Sequence, residues 1–186
     1  MNIFVLAEDA AESARMMCDK HVIKMILESC QLLSTAHHVL DGDELHVNTG
    51  KRKYKTYICT KKNICKATMI NHPCTIWTRE TRANYIWLWR HAYALCKEYT
   101  RRYKKVHAME QMLMDELYDP PINIAKGKIT PFAQAMPDQY KDTNAVVAYR
   151  KYYINEKVRF AKWKDSLPPE WFVSKNHELV VEELPF

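Results

Sequence analysis

A single, predominantly α-helical domain is what this 186-residue chain predicts, and three observations carry that expectation. A hydrophobic content of 47 % is enough for one substantial core and short of two. Long segments repeat their apolar residues at helical spacing and are punctuated by Asp, Asn and Pro. No repeat of 20 to 50 residues is visible, so the chain reads as one compact unit over residues 1–172 followed by an acidic tail, 173–186, that carries Glu178, Glu182 and Glu183.

The elements follow in order. Residues 1–6 are apolar and read as a short strand or a buried extended segment, and Glu8 with Asp9 begins a turn. Residues 17–36 form a long helix, either continuous with 13–17 or broken near Asp19. Asp41-Gly42-Asp43 is a stop signal. Residues 44–66 mix polar and β-branched side chains and read as a loop or irregular basic arm, with a short hairpin as the most β structure expected. Asn71-His72-Pro73 opens the next helix, since proline suits a first helical position where its missing N–H is not needed; that helix is expected to reach about Tyr103. Residues 106–117 form another, closed by Asp119-Pro120-Pro121. Residues 122–137 are an ordered loop. Asp142 or Thr143 caps a last long helix reaching Trp163, and Leu167-Pro168-Pro169 breaks it.

The helix over 17–36 gathers its polar residues into one stripe. At 100° per residue, Lys20, Gln31, Lys24, Thr35, Glu28 and His21 fall within an arc of about 100°. Val22, Met25, Ile26, Leu27, Leu32 and Leu33 take the rest, as in a helix that is mostly buried. The stripe is then either a narrow wet seam with an i, i+4 pair between Lys24 and Glu28, worth about 0.2 to 0.5 kcal/mol, or the wall of a polar cleft. One carboxylate flanked by two ammonium groups, an imidazole and an amide is a set suited to acid and base chemistry.

The net charge of +6 is local. Seven basic residues and no acidic one lie between Lys51 and Lys66: Lys51, Arg52, Lys53, Lys55, Lys61, Lys62 and Lys66. Interleaved with Tyr54 and Tyr57, they suit a polyanion, because lysines neutralise phosphates while aromatic rings stack on bases. A solvated basic loop is the alternative. Six cysteines form no C-x-x-C pair and read as reduced thiols. No H-E-x-x-H or G-x-S-x-G string occurs, and the three glycines make no phosphate-binding loop or dinucleotide fingerprint. The reading calls for no metal and no cofactor. With no apolar run of about 18 residues, the protein is expected to be cytoplasmic, in the host cytoplasm if a phage encodes it, with no membrane partner.

A second constellation begins at the Asn71-His72-Pro73 corner, where unpaired N–H groups at a helix start suit a phosphate. On one continuous helix, Glu80, Asn84 and His91 share an arc with Trp77, which would then offer a stacking surface; core packing is the competing reading for these residues. The proline-stiffened loop 130–137 suits substrate positioning, and Tyr149, Arg150, Tyr152 and Tyr153 add aromatic and cationic groups to the last helix.

The order of these features, a short apolar start, a helix bearing Glu28, a basic middle, the asparagine-histidine-proline corner and a tyrosine-rich last helix, resembles the small pyrimidine-dimer DNA glycosylases of the bacteriophage endonuclease V type. It is similar also to a group of tailed-phage proteins of no settled activity. The glycosylase resemblance implies a nucleophile at the α-amino group exposed by removal of the initiator methionine, and a glutamate on the first long helix that assists opening of the sugar ring. Glu28 is the position that matches that glutamate. Residue 2 departs from the pattern: it is Asn, a side chain that usually blocks methionine removal, and a retained Met1 sets the amine one residue farther out. The site expected from residues and resemblance together has Glu28, Lys24, Lys20 and His21 as catalytic groups. Gln31, Asn71, His72, Trp77, Asn84, Lys51, Arg52, Lys53 and Lys55 are expected to hold DNA or a small nucleotide. The expected activity is directed at the N-glycosidic bond or base; the alternative is a non-catalytic protein that binds a small nucleotide or a host protein, for example in counter-defence.

Overall fold

The computed structural model describes residues 1–172, so the acidic stretch 173–186 lies outside the described residues. Among those described, helices dominate and one two-stranded sheet is present, the compact, predominantly α domain expected. No helix is long and apolar enough to cross a membrane.

Helix α1 spans Ala10–Met16 and is capped by Asp9, whose carboxylate accepts from Glu12 N at 2.8 Å. The chain then straightens through Met17 and Cys18 before α2, Asp19–Asp41, so the two are separate helices. Arg102 explains where the break is held. Its fully enclosed guanidinium donates to the carbonyls of Arg15 and Met17 at 3.2 and 2.9 Å, and to Asp19 Oδ1 at 2.9 Å, satisfying groups that a joint between helices leaves unpaired.

The basic arm is more ordered than an irregular loop. Strands β1 (Asp43–Asn48) and β2 (Lys53–Ile58) pair antiparallel, Asp43 opposite Ile58 and Asn48 opposite Lys53. Alternation supplies the reason: Leu45 and Val47 share one face with Tyr54, Thr56 and Ile58. Gly50 takes the positive φ of 76° that the turn needs, and Asn48 Oδ1 accepts from Gly50 N at 3.0 Å. At the other end Gly42 passes so close to the neighbouring backbone that a Cβ there would lie 2.4 Å from the Ile58 carbonyl oxygen.

The helix expected over 73–103 is two helices, α3 (Pro73–Glu80) and α4 (Arg82–Tyr103). Thr81 separates them with φ −139° and ψ 156°; its hydroxyl caps α4 by accepting from Asn84 N at 3.2 Å and donates to Lys128 O at 3.1 Å. A threonine able to cap and to reach a neighbouring loop competes with the helical backbone, and here it prevails. Helix α5 is confined to Glu110–Asp115, inside the 106–117 expected. The cap of α6 (Ala145–Lys157) is Asn144 instead of Asp142 or Thr143, and the helix stops before Trp163. Asp142 is spent one step earlier, accepting from Asn144 N and pairing with Lys151.

The core lies where α2 and α1 pack on α4 and α2 packs on α3. Residues 1–6 enter it as an extended segment with Ile3, Val5 and Leu6 buried. Asn2 shapes that entry: its Oδ1 accepts from Ile3 N and Phe4 N at 2.8 and 3.2 Å, its Nδ2 donates to Ala135 O at 2.8 Å, and Phe4 takes a positive φ of 41°.

Candidate active site

The N-terminal half of α2, the first residues of the chain and the end of α6 enclose an open cleft of about 440 Å³. Glu28 lies at its base, nearly buried. Its Oε2 accepts from Asn2 N at 2.9 Å and stands 3.9 Å from the Met1 amine, while Oε1 is 3.2 Å from Lys24 Nζ. The i, i+4 pair expected between Lys24 and Glu28 is therefore formed, and it belongs to the cleft as well: Lys24 is two-thirds exposed and Glu28 is not. Both readings of the stripe hold at once.

His21 faces the same cleft but cannot serve as a cation near neutral pH. Burial, with the Lys157 and Lys24 charges adding to it, pushes its pKa down to about 3. The ring stacks on Phe4 at 4.3 Å and meets Tyr153 and Phe160 edge-on. Lys20 completes the set from α2, its ammonium 5.0 Å from the centre of the Phe160 ring. The structure thus brings Lys20, His21, Lys24 and Glu28 together around one cavity.

The corner at His72 is close enough for its imidazole to feel this site. Burial lowers its pKa first and the Met1 ammonium lowers it further, against the opposing pull of Glu28. Its Nδ1 accepts from Cys74 N at 3.2 Å, so one ring nitrogen is committed to capping α3. Asn71 is exposed at the same corner. Gln31 sits farther along the seam of α2, outside the cleft.

Trp77 and Asn84 are placed elsewhere, in the core. Trp77 is 3 % exposed, packed against Trp87 and Phe132, with Nε1 donating to Thr130 O at 3.3 Å. Asn84 is fully buried; it donates to Trp77 O and Thr130 Oγ1 at 2.8 and 2.7 Å and accepts from Thr130 N at 3.0 Å. These two residues fasten the start of the loop 130–137 to the α3–α4 joint. That loop in turn carries Ala135 to the edge of the cleft. Lys51, Arg52, Lys53 and Lys55 all stand exposed on the hairpin, away from the cleft.

Besides Met1, Asn2, Met25 and Ala135, four cleft residues lay outside the expected site: Phe4, Tyr152, Lys157 and Phe160. Lys157 Nζ donates to Tyr152 Oη at 3.1 Å and lies 4.3 Å from that ring's centre. The signal for them was the cluster of tyrosines on α6, whose inward face spacing alone did not single out.

The residues that the chain's start and α2 bring to the cleft fall within one recognisable stretch. A sequence model described as pyrimidine dimer DNA glycosylase matches residues 1–111. That span holds Met1, Asn2, Lys20, His21, Lys24, Glu28, the hairpin and His72; the wall formed by Tyr152, Lys157 and Phe160 lies beyond it. No curated protein and no solved structure matches the chain. With more than half of its length matched by that one model, the chain belongs to the pyrimidine dimer DNA glycosylase family.

Proposed function

We propose that the cleft excises a base from DNA, with an N-terminal amine as nucleophile and Glu28 as the proton-handling carboxylate. The observation that carries this reading is a single oxygen: Glu28 Oε2 lies 2.9 Å from the nitrogen of Asn2 and 3.9 Å from that of Met1. Whichever of the two is the free amine, the carboxylate is within reach of it.

In the neutral form the amine attacks C1′ of the target nucleotide, and the N-glycosidic bond breaks with its electron pair leaving on the base. The new C–N bond leaves the nitrogen with a proton to lose, which Glu28 takes. Glu28 then returns that proton to the ring oxygen O4′ as the sugar opens, giving a protonated imine between the chain and C1′, and the departing base takes its proton from solvent. Lys24 steadies the carboxylate from its solvent side, and Lys20 and Lys157 line the approach of the anionic backbone. His21 takes no proton in this scheme, being held neutral. Extruding the target nucleotide costs a few kcal/mol, less at a damaged pair.

The test is a duplex carrying one pyrimidine dimer, incubated with the protein and then with sodium borohydride. Cleavage of one glycosidic bond of the dimer, read as an alkali-labile site in an unreduced aliquot because the base stays joined to its neighbour, together with a reduced adduct mapped to the N-terminal peptide, is the expected outcome. The mass of that peptide also identifies residue 1 or residue 2 as the nucleophile. An adduct on Lys20 or Lys24 would remove the amine from the mechanism. A chain that binds the duplex and yields neither product nor adduct would be the non-catalytic binder instead.

A further inference from the structure

The hairpin and the cleft lie on one face of α2. Over the N-terminal half of that helix the seam of Lys20, Lys24 and Gln31 is open. Over the C-terminal half the same face is covered by residues 59–68, which run back along it: Cys59 N donates to His38 Nδ1 at 3.0 Å, Cys65 N to Ser34 Oγ at 3.1 Å and Thr68 N to Thr35 Oγ1 at 3.1 Å. His38 and Thr35 fall within about 60° of Lys20, Lys24 and Gln31 on the helix. The covering segment brings its own cations, Lys61, Lys62 and Lys66. Positive charge therefore continues from the cleft, along α2, to the hairpin.

The hairpin itself is two-faced. Asp43, Leu45, Val47, Tyr54, Thr56 and Ile58 share one side, while His46, Lys53, Lys55 and Tyr57 lie on the other with Glu44 and Asn48. Glu44 is answered by Lys55. Lys51, Arg52 and Lys53, at the turn, join no ion pair among the described residues and stand exposed. A sheet of two strands, wet on both sides, buries too little to be explained by stability alone. B-DNA's major groove, about 12 Å wide, admits such a ribbon.

We infer that the β1–β2 ribbon is a second DNA-binding element, which places its cationic tip in the major groove at a fixed distance to one side of the reacting nucleotide. The inference rests on the reading of the cleft as DNA-directed. Thirteen residues of α2 carry the chain from Glu28 to Asp41, at the root of the ribbon, about 20 Å at 1.5 Å per residue. At 3.4 Å per step along the duplex, the root stands about six base pairs away.

Two measurements test it. First, binding to an undamaged duplex of about 20 base pairs is titrated with salt for the native chain and for K51A/R52A/K53A; loss of three phosphate contacts should flatten the slope of log K against log salt by about 2.7. An unchanged slope in a variant with the native melting temperature overturns the inference. Second, dimer-containing duplexes are lengthened one base pair at a time on either side of the lesion. Native affinity should rise tenfold or more once one side passes about six base pairs and stay level when the other side grows; this arm needs no variant. Equal gains on both sides, or none on either, overturn the inference. Glycosidic cleavage with no effect of length or of the three substitutions would refute the ribbon and spare the cleft. A flattened slope in the variant with no glycosidic cleavage by the native chain would do the reverse.

Discussion

Arg102 and Asp19 meet at 2.9 Å, the guanidinium fully enclosed and the carboxylate at the first position of α2. Glu98 accepts from the same guanidinium at 3.0 Å. Burial pulls the Glu98 carboxyl upward, but its hydrogen bond to Arg101 and the charges of Arg102 and Arg101 outweigh that and leave it below its ordinary range. The end of α4 thereby fixes the direction in which α2 sets out, and with it the line from Lys20 to Glu28. Arg102→Ala should cost about 3 to 5 kcal/mol in a urea titration, as removing one partner of a buried ionic cluster does. A loss below about 1 kcal/mol would mean that apolar packing holds the joint.

Glu28→Gln keeps shape and an acceptor for Asn2 N but cannot take a proton. Glycosidic cleavage should slow by at least about 100-fold, the lower end for acid and base catalysis, while the melting temperature stays close to native. Undiminished cleavage would exclude Glu28 from the chemistry.

The cap that His72 provides for α3 and the phosphate contact expected of it are separated by different substitutions. His72→Ala removes the cap of α3 and should cost about 0.5 to 2 kcal/mol of stability. His72→Asn restores a side-chain acceptor at the cap without the imidazole. If the second ring nitrogen helps to hold a phosphate, affinity for a short oligonucleotide should drop in both variants by about 1.5 to 3 kcal/mol. Native affinity in the Asn variant, with stability restored, would reduce His72 to a cap.

Acid should destabilise the protein in a defined window. His21 is held near pKa 3, and His37 and His91 near 4, each mainly by burial; Lys157 and Lys24 add to the effect at His21 and Lys61 at His37, while the Ala10 carbonyl opposes it at His91. In the unfolded chain all three titrate near 6.5, so unfolding takes up protons between about 6.5 and 4. Their stabilising effect is complete above about pH 6.5 and is lost as pH falls toward the folded values. Each histidine steepens the loss by up to about 1.4 kcal/mol per pH unit. Urea titrations at pH 7 and 5 measure it, and His21→Phe, which keeps a ring on Phe4, should shrink the difference by one proton. Equal stability at both pH values would show that these histidines are protonated in the folded protein.

Much of this architecture was legible in the residues themselves. The stripe on α2 marked the cleft because few polar side chains on a largely apolar helix must share either water or a cavity, and Lys20, His21, Lys24 and Glu28 share both. Pro73 marked the start of α3. Thr81 hid the break that follows, since nothing in its neighbours' spacing shows that Lys128 waits to accept its hydroxyl. Trp77 and Asn84 do share a side, as periodicity gave them, but that side is turned into the core against Thr130 and Phe132, which spacing alone could not distinguish from a cleft wall. The far wall of the cleft was unreadable for a related reason, because Lys157 and Tyr152 reach Phe4 from more than 140 residues away in the chain.

Gly42 leaves no room for a side chain between the last turn of α2 and the Ile58 carbonyl. The hairpin is thus seated against the helix end, and on the two proposals above α2 would work as a ruler with chemistry at one mark and a grip at the other. One residue inserted between Glu28 and Gly42 would turn the grip by about 100° off the DNA-facing side, whereas a full turn would keep its heading and lengthen the reach by about 5.4 Å, between one and two base pairs.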